Sequence, residues 1–201
     1  MLVSMMQRSS VKPPRDRILD AAFEVMNSLG LAKATTKQIA RQAGYSEAML
    51  YKHFADKQEL FLAVLEERVQ PAGVSPRSPG SGELVDDLAR LVEDLMAFFV
   101  AAFPIAASVF SSPELLRQHR DGVVARDRGP EAPVRGVAAY LKAEQAAGRI
   151  PAQADCTAAA RILVGTAFHQ GFLAAFAGNS SVPDADRVAR GIALTVSRAL
   201  E

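Results

Sequence analysis

Apolar residues Ile18, Ala22, Val25, Met26 and Leu29 recur at steps of four and three. That spacing lays them along one face of a helix, and Gly30 is placed to end it. Thr35 or Thr36 then caps a short helix whose Ile39, Ala40 and Ala43 face inward. Gly44 breaks that helix. Ser46 caps a third, with Leu50 and Phe54 four apart on one side. Asp56 opens a fourth, carrying Leu60, Phe61, Val64 and Leu65. Further helical stretches are expected near 84–103, 104–125, 131–148, 155–177 and 184–200, with Pro104 dividing the first two. No alternation of apolar and polar residues is long enough for a sheet, and no internal repeat is visible. The expected fold is all-α.

The segment from Gln70 to Gly82, "QPAGVSPRSPGSG", is the clearest linker, with weaker breaks at 126–133 and 178–184. It divides the chain into a flexible basic arm (1–14), three short helices (15–55), a connecting helix (56–69), the linker (70–82) and a larger helical part (83–201).

At 201 residues and 49% hydrophobic composition, the chain can bury a sizeable core. The net charge of +1 is uninformative until it is divided. Residues 1–57 hold nine Lys/Arg against five Asp/Glu, a net of +4, and the remainder carries −3. The basic excess in the first third points to a polyanion. The single Cys156 excludes an internal disulfide and a cysteine zinc cluster, and fits the reducing cytoplasm. The N-terminus lacks the pattern of a secretory signal. The uncharged run from Leu95 to Pro113 is interrupted by Pro104 and falls short of the ~20 apolar residues that a crossing needs.

A short helix, a turn at Gly44-Tyr45-Ser46, and a second short helix have the layout of a helix-turn-helix. With Leu50 and Phe54 packed inward, Glu47, Ala48, Met49, Tyr51, Lys52 and His53 face outward. A hydroxyl, an ammonium and a ring N–H can all donate to phosphate oxygens. Lys57 falls in the first turn of the next helix, where backbone N–H groups add to its charge.

Residues 15–65 resemble the DNA-binding domain of the TetR (tetracycline repressor) family of transcriptional regulators. The resemblance rests on Ile18-Leu19-Asp20-Ala21-Ala22 with Phe23, on Gly30, Thr35-Thr36, Ile39-Ala40, Ala43-Gly44 and Ser46, and on Leu50-Tyr51-Lys52-His53-Phe54 followed by Lys57, Leu60 and Phe61. It implies phosphate contact by Tyr51, His53 and Lys57, with Thr36 and Lys37 at the start of the second helix. Base reading is implied around Ser46, Glu47, Ala48, Met49 and Lys52, with Tyr45 in the turn before them as a further DNA-binding candidate. Tyr45 replaces the family's usual aliphatic turn residue. Ala48 and Met49 stand where Gly and a small hydroxyl residue are common, so the operator sequence is open. Arg8, Lys12, Arg15 and Arg17 of the arm are expected either to add phosphate contacts or to form a solvated tail.

The same resemblance implies that the later helices bind a small-molecule effector and pair two chains. Candidate pocket residues are Phe99, Phe103, Phe110, Tyr140, His169 and Phe172. The expected homodimer seam lies on helices near 155–177 and 184–200. Small residues at Ala167, Gly171 and Ala174 stand beside an apolar row of Val188, Ile192 and Val196, and each stripe fits either the seam or the intramolecular core. The implied protein is a ligand-responsive homodimeric regulator on a palindromic duplex, a repressor in the family's usual form. His119 and His169 lack metal-ligand spacing, and neither a metal nor a cofactor is expected. No nucleophile elbow, phosphate-cradling loop or zinc-protease motif appears, so no enzyme is expected. The alternative is a helical small-molecule carrier or enzyme with a vestigial DNA-binding end.

Overall fold

The computed structural model describes residues 12–30, 33–68, 82–125 and 129–201. The arm up to residue 11, with Arg8, and the linker from 70 to 81 lie outside the described residues. Within them the chain is helical: α1 (Pro14–Leu29), α2 (Thr36–Ala43), α3 (Glu47–Tyr51), α4 (Lys57–Glu67), α5 (Leu84–Phe110), α6 (Pro113–Ala125), α7 (Ala132–Ala146), α8 (Cys156–Phe176) and α9 (Ala185–Ala199).

The first four helices are set by local chemistry. Pro14 occupies the first turn of α1, where its missing N–H costs nothing. Thr35 and Gln38 form a reciprocal capping box on α2: the Thr35 hydroxyl oxygen accepts from the Gln38 N–H, and the Gln38 side chain accepts from the Thr35 N–H at 3.0 Å. Ser46 accepts from the Met49 N–H at 3.3 Å to start α3, and Asp56 from the Glu59 N–H at 2.7 Å to start α4. Gly44 ends α2 at φ +75°, a conformation that carries no penalty for glycine.

These helices share one core. Ile18, Leu19, Ala22 and Met26 of α1 meet Ile39 and Ala40 of α2, Leu50 of α3, Phe54, and Leu60 and Val64 of α4, all buried. Ile105 of α5 is fully buried in this same cluster, and Leu115 of α6 packs against it. A second core joins α5, α7, α8 and α9 through Leu88, Val92, Leu95, Met96, Leu141, Leu163, Ala167, Ala189 and Ala193. Helix α5 therefore belongs to both halves. Its stretch up to Val100 lies in the larger core and Ile105 in the smaller.

Pro104 does not divide that helix, contrary to the sequence expectation. Helix α5 runs through it for 27 residues. An internal proline costs about 3 kcal/mol. Leu95, Met96, Val100, Ile105 and Val109 are buried on either side. At roughly 1.5–3 kcal/mol each, their burial outweighs the break. No helix among the described residues is long and apolar enough to cross a membrane.

The larger half holds one buried polar knot. Glu144 is fully buried and takes a bidentate grip from Arg149, Nε to Oε2 and Nη2 to Oε1, both at 2.6 Å. Arg149 also lies 3.8 Å from Asp87 and donates to the Gly82 carbonyl. The buried negative charge is thereby compensated, as burial requires. The knot also fixes the point where the chain enters α5.

Candidate nucleic-acid interface

Helix α3 is only five residues long, and Leu50 is the one residue of it that is buried. The other four residues keep part or all of their surface open to solvent. Glu47, Ala48, Tyr51 and Lys52 are exposed, while Met49 and His53 are half-exposed. Tyr51 keeps 49% of its surface open to solvent. These are the positions expected to face outward from the spacing of Leu50 and Phe54.

The turn before α3 creates a concavity lined by Arg41, Tyr45, Ser46, Ala48, Met49 and Lys52. Two cations, a phenol and a hydroxyl surround an apolar floor. That combination can hold phosphate oxygens at its rim and base edges at its floor. Arg41 was absent from the sequence candidates. It is exposed on the last turn of α2, and only the fold brings it opposite Lys52.

Tyr45 is held in place from α1. The Arg17 guanidinium lies over its ring at 4.8 Å from the centroid, and Nη1 donates to the phenol oxygen at 3.1 Å. Arg17 Nη2 also donates to the Ala43 carbonyl at 2.9 Å, satisfying an end group of α2. Arg15 donates both amino groups to Glu67, at 2.8 and 2.6 Å, and lies over Phe54. Lys12 pairs with Asp20. The arm expectation is thus corrected for Arg15 and Arg17. They sit inside α1 and hold the helices together, because each finds a partner elsewhere in the chain.

Lys57 stands in the first turn of α4 with its ammonium 4.9 Å from the centre of the Phe61 ring. Lys37, in the second position of α2, is exposed. The Thr36 hydroxyl does not point at solvent alone: it donates to Glu47 Oε1 at 2.7 Å.

At the far end of α4, Arg68 spans back to α1. It donates to Asp16 Oδ1 at 2.9 Å and to Asp20 Oδ1 at 2.8 Å. Partial burial pushes the Asp20 carboxyl up, but hydrogen bonds from Lys12 and Arg68 outweigh it and hold it below the usual carboxylate range.

Residues 18–64 match the profile of bacterial regulatory proteins, tetR family. The head of this chain is a tetR-family domain. Over 63 residues it is 44% identical to the uncharacterized HTH-type transcriptional regulator TtgW of Pseudomonas putida, a stretch covering 31% of this chain and 47% of that protein. Over 57 residues it is 47% identical to the HTH-type transcriptional regulator SrpR of the same species, covering 28% and 27%. The matched stretches thus span less than half of either relative. The chain has the fold of a solved Mesorhizobium loti MAFF303099 protein assigned to the tetR family. The two superpose with a TM-score of 0.73 at 21% identity, over 93% and 95% of their lengths.

The pocket candidates behind the tetR-type head are scattered. Phe99, Phe103 and Phe172 join one row of rings between α5 and α8 that also contains Phe98, Phe168 and Phe176, with successive centroids 4.9–5.9 Å apart. Phe110 is 71% exposed at the end of α5. Tyr140 is buried in the larger core beside Glu144, where burial and that carboxylate push its phenol well up. His169 is exposed on α8.

The small-residue stripe faces inward, so of its two readings the intramolecular core holds and the seam through Gly171 does not. Ala167 and Ala174 are buried, and Gly171 abuts α5: a Cβ there would lie 2.6 Å from Phe99 Cβ and 3.2 Å from the Val100 nitrogen. Val196 is buried, and Val188 and Ile192 pack on the same core. The outward face of α8 instead carries Ile162, Phe168, Phe172, Leu173 and Phe176, with Leu194 exposed on α9. No period in the sequence separates an intramolecular stripe from an intermolecular one, since both step at three and four.

Proposed function

We propose that this chain is a cytoplasmic, homodimeric, ligand-responsive transcriptional regulator. It binds a palindromic duplex operator and represses until a small molecule releases it. The observation that carries this reading is the tetR-type α3, exposed on all but its Leu50 side, with Arg41 and Lys52 flanking a concavity beside it. Tyr51, His53 and Lys57 serve as phosphate donors, with Lys37 beside them. Ser46, Glu47, Ala48, Met49 and Lys52 read bases.

Pairing is supported by the exposed apolar face of α8. A surface carrying Ile162, Leu173 and Phe176 marks an interaction site. A second copy placing the same face against it satisfies both at once. The row of phenylalanines between α5 and α8 suits an apolar or aromatic effector. Such an effector acts only by its differential affinity for two arrangements of the molecule. Helix α4, tied to α1 through Arg68 and Glu67, is the element that carries the change.

The deciding experiment is selection of duplexes from a random pool, followed by titration of the winners at several salt concentrations. The expected product is an inverted repeat with half-sites one helical turn, about 34–36 Å, apart. A chain that retains no duplex at low salt is the carrier or enzyme of the alternative reading.

A further inference from the structure

Thr36 and Glu47 are eleven residues apart and open different helices, yet the Thr36 hydroxyl donates to Glu47 Oε1 at 2.7 Å. Glu47 is exposed on the leading turn of α3, and among the described residues its carboxylate makes no ion pair. On a surface otherwise suited to phosphates, an unpaired carboxylate is repelled by the duplex backbone. Its favourable partners in a major groove are exocyclic amino groups. Adenine sets the acceptor N7 beside its amino group, which repels a carboxylate. Cytosine carries its N4 amino group beside C5–H, so its own edge sets no acceptor against a carboxylate, and the paired guanine's O6 lies across the base pair.

We propose that Glu47 reads a cytosine through the N4 amino group and that Thr36 is its positioning residue. The inference rests on the reading of the head as DNA-binding. A free glutamate on a helix surface samples several rotamers, and ordering it on a base loses that freedom. The Thr36 hydroxyl occupies one carboxylate oxygen and holds the other toward the groove. Thr36 then acts through Glu47 and not on a phosphate.

The test compares four full-length proteins, wild type, Glu47→Gln, Thr36→Val and Thr36→Ser, in selection from a random duplex pool. Wild type enriches cytosine at one position of each half-site, by roughly 5- to 150-fold over other bases, the range of a single good base contact. Glu47→Gln moves that position alone toward adenine, because an amide can both donate to N7 and accept from N6. Thr36→Val loses most of the enrichment at that position while every other preference stays. Thr36→Ser, which restores the hydroxyl, recovers it. Thermal melts of all four proteins keep misfolding apart from lost reading. A uniform loss of affinity for all duplexes in Thr36→Val makes it a phosphate contact and overturns the proposal. Retention of the cytosine preference in Thr36→Val, or an unchanged profile in Glu47→Gln, overturns it equally. If wild type itself retains no duplex, the DNA-binding reading has failed, an outcome distinct from all of these.

Discussion

Arg17 and Tyr45 hold each other across the head: the guanidinium lies 4.8 Å above the phenol ring and donates to its oxygen at 3.1 Å. The contact ties α1 to the turn that aims α3. Arg17→Ala removes it together with the bond to the Ala43 carbonyl. The expected loss is about 1–2 kcal/mol of stability, combining a cation–π contact and a hydrogen bond at a partly exposed site. Denaturant titration measures the loss. The salt dependence of duplex binding should stay as steep as in wild type, because the exposed Arg17 guanidinium is occupied by Tyr45 and the Ala43 carbonyl. A flatter slope would return Arg17 to the phosphate contacts.

The cations of the interface should behave in the opposite way. Arg41→Ala and Lys57→Ala each remove one charge without removing a buried side chain. Each should weaken binding to all duplexes about equally and reduce the slope of log affinity against log salt by roughly one. Fluorescence anisotropy across a series of salt concentrations is sufficient. If Arg41→Ala binds with the wild-type slope, the concavity beside α3 faces away from the backbone.

Gly171→Ala should destabilise the larger half and leave pairing untouched. The new methyl would meet Phe99 Cβ at 2.6 Å and the backbone of Val100, which cannot rotate away. Overpacking of this kind costs about 1–3 kcal/mol, seen as a lower melting temperature.

Leu173→Glu should do the reverse. Leu173 is 44% exposed, so the substitution barely touches the core. In the proposed dimer it buries an unpaired charge, worth several kcal/mol against association. Analytical sedimentation should find a folded monomer whose affinity for an inverted repeat falls steeply and for a half-site little. A dimer at micromolar concentration would move the interface to another face.

The Arg68 network predicts a pH signature. Asp20 is held below its ordinary range, so its contribution is complete above the unfolded value near ~3.9 and is lost as pH falls through the lower folded value. Because the pair is partly exposed, about 0.5–1 kcal/mol is expected. The melting temperatures of wild type and Asp20→Asn should differ by a constant amount from neutral pH to about pH 4.5 and converge below it. A gap that persists once the Asp20 carboxyl is protonated in both states would assign the effect to packing.

What could be read from the sequence were the features settled within a few residues. Thr35 with Gln38, Ser46 with Met49 and Asp56 with Glu59 are local capping contacts, so the helix starts of the head followed from composition and spacing. The outward face of α3 followed from Leu50 and Phe54. The misreadings all turn on partners far away in the chain. Arg15 looked like a tail residue because Glu67 is 52 positions on. Pro104 looked like a boundary because its surroundings come from other helices. Gly171 looked like a docking surface because nothing near it names Phe99 as its neighbour. Arg41 went unnoticed because only the folded turn sets it across from Lys52.

Ile105 lies past Pro104 on a helix rooted in the larger half, yet it is sealed inside the smaller one. The two halves are therefore not interchangeable cassettes joined by a tether. A head grafted from a relative at the linker would arrive with a socket shaped for some other side chain. It would have to close around Ile105 or leave a void worth several kcal/mol. Chimeras that carry the head together with the last two turns of α5 and the first turn of α6 should express and fold. Those cut only at the linker should be the ones that aggregate.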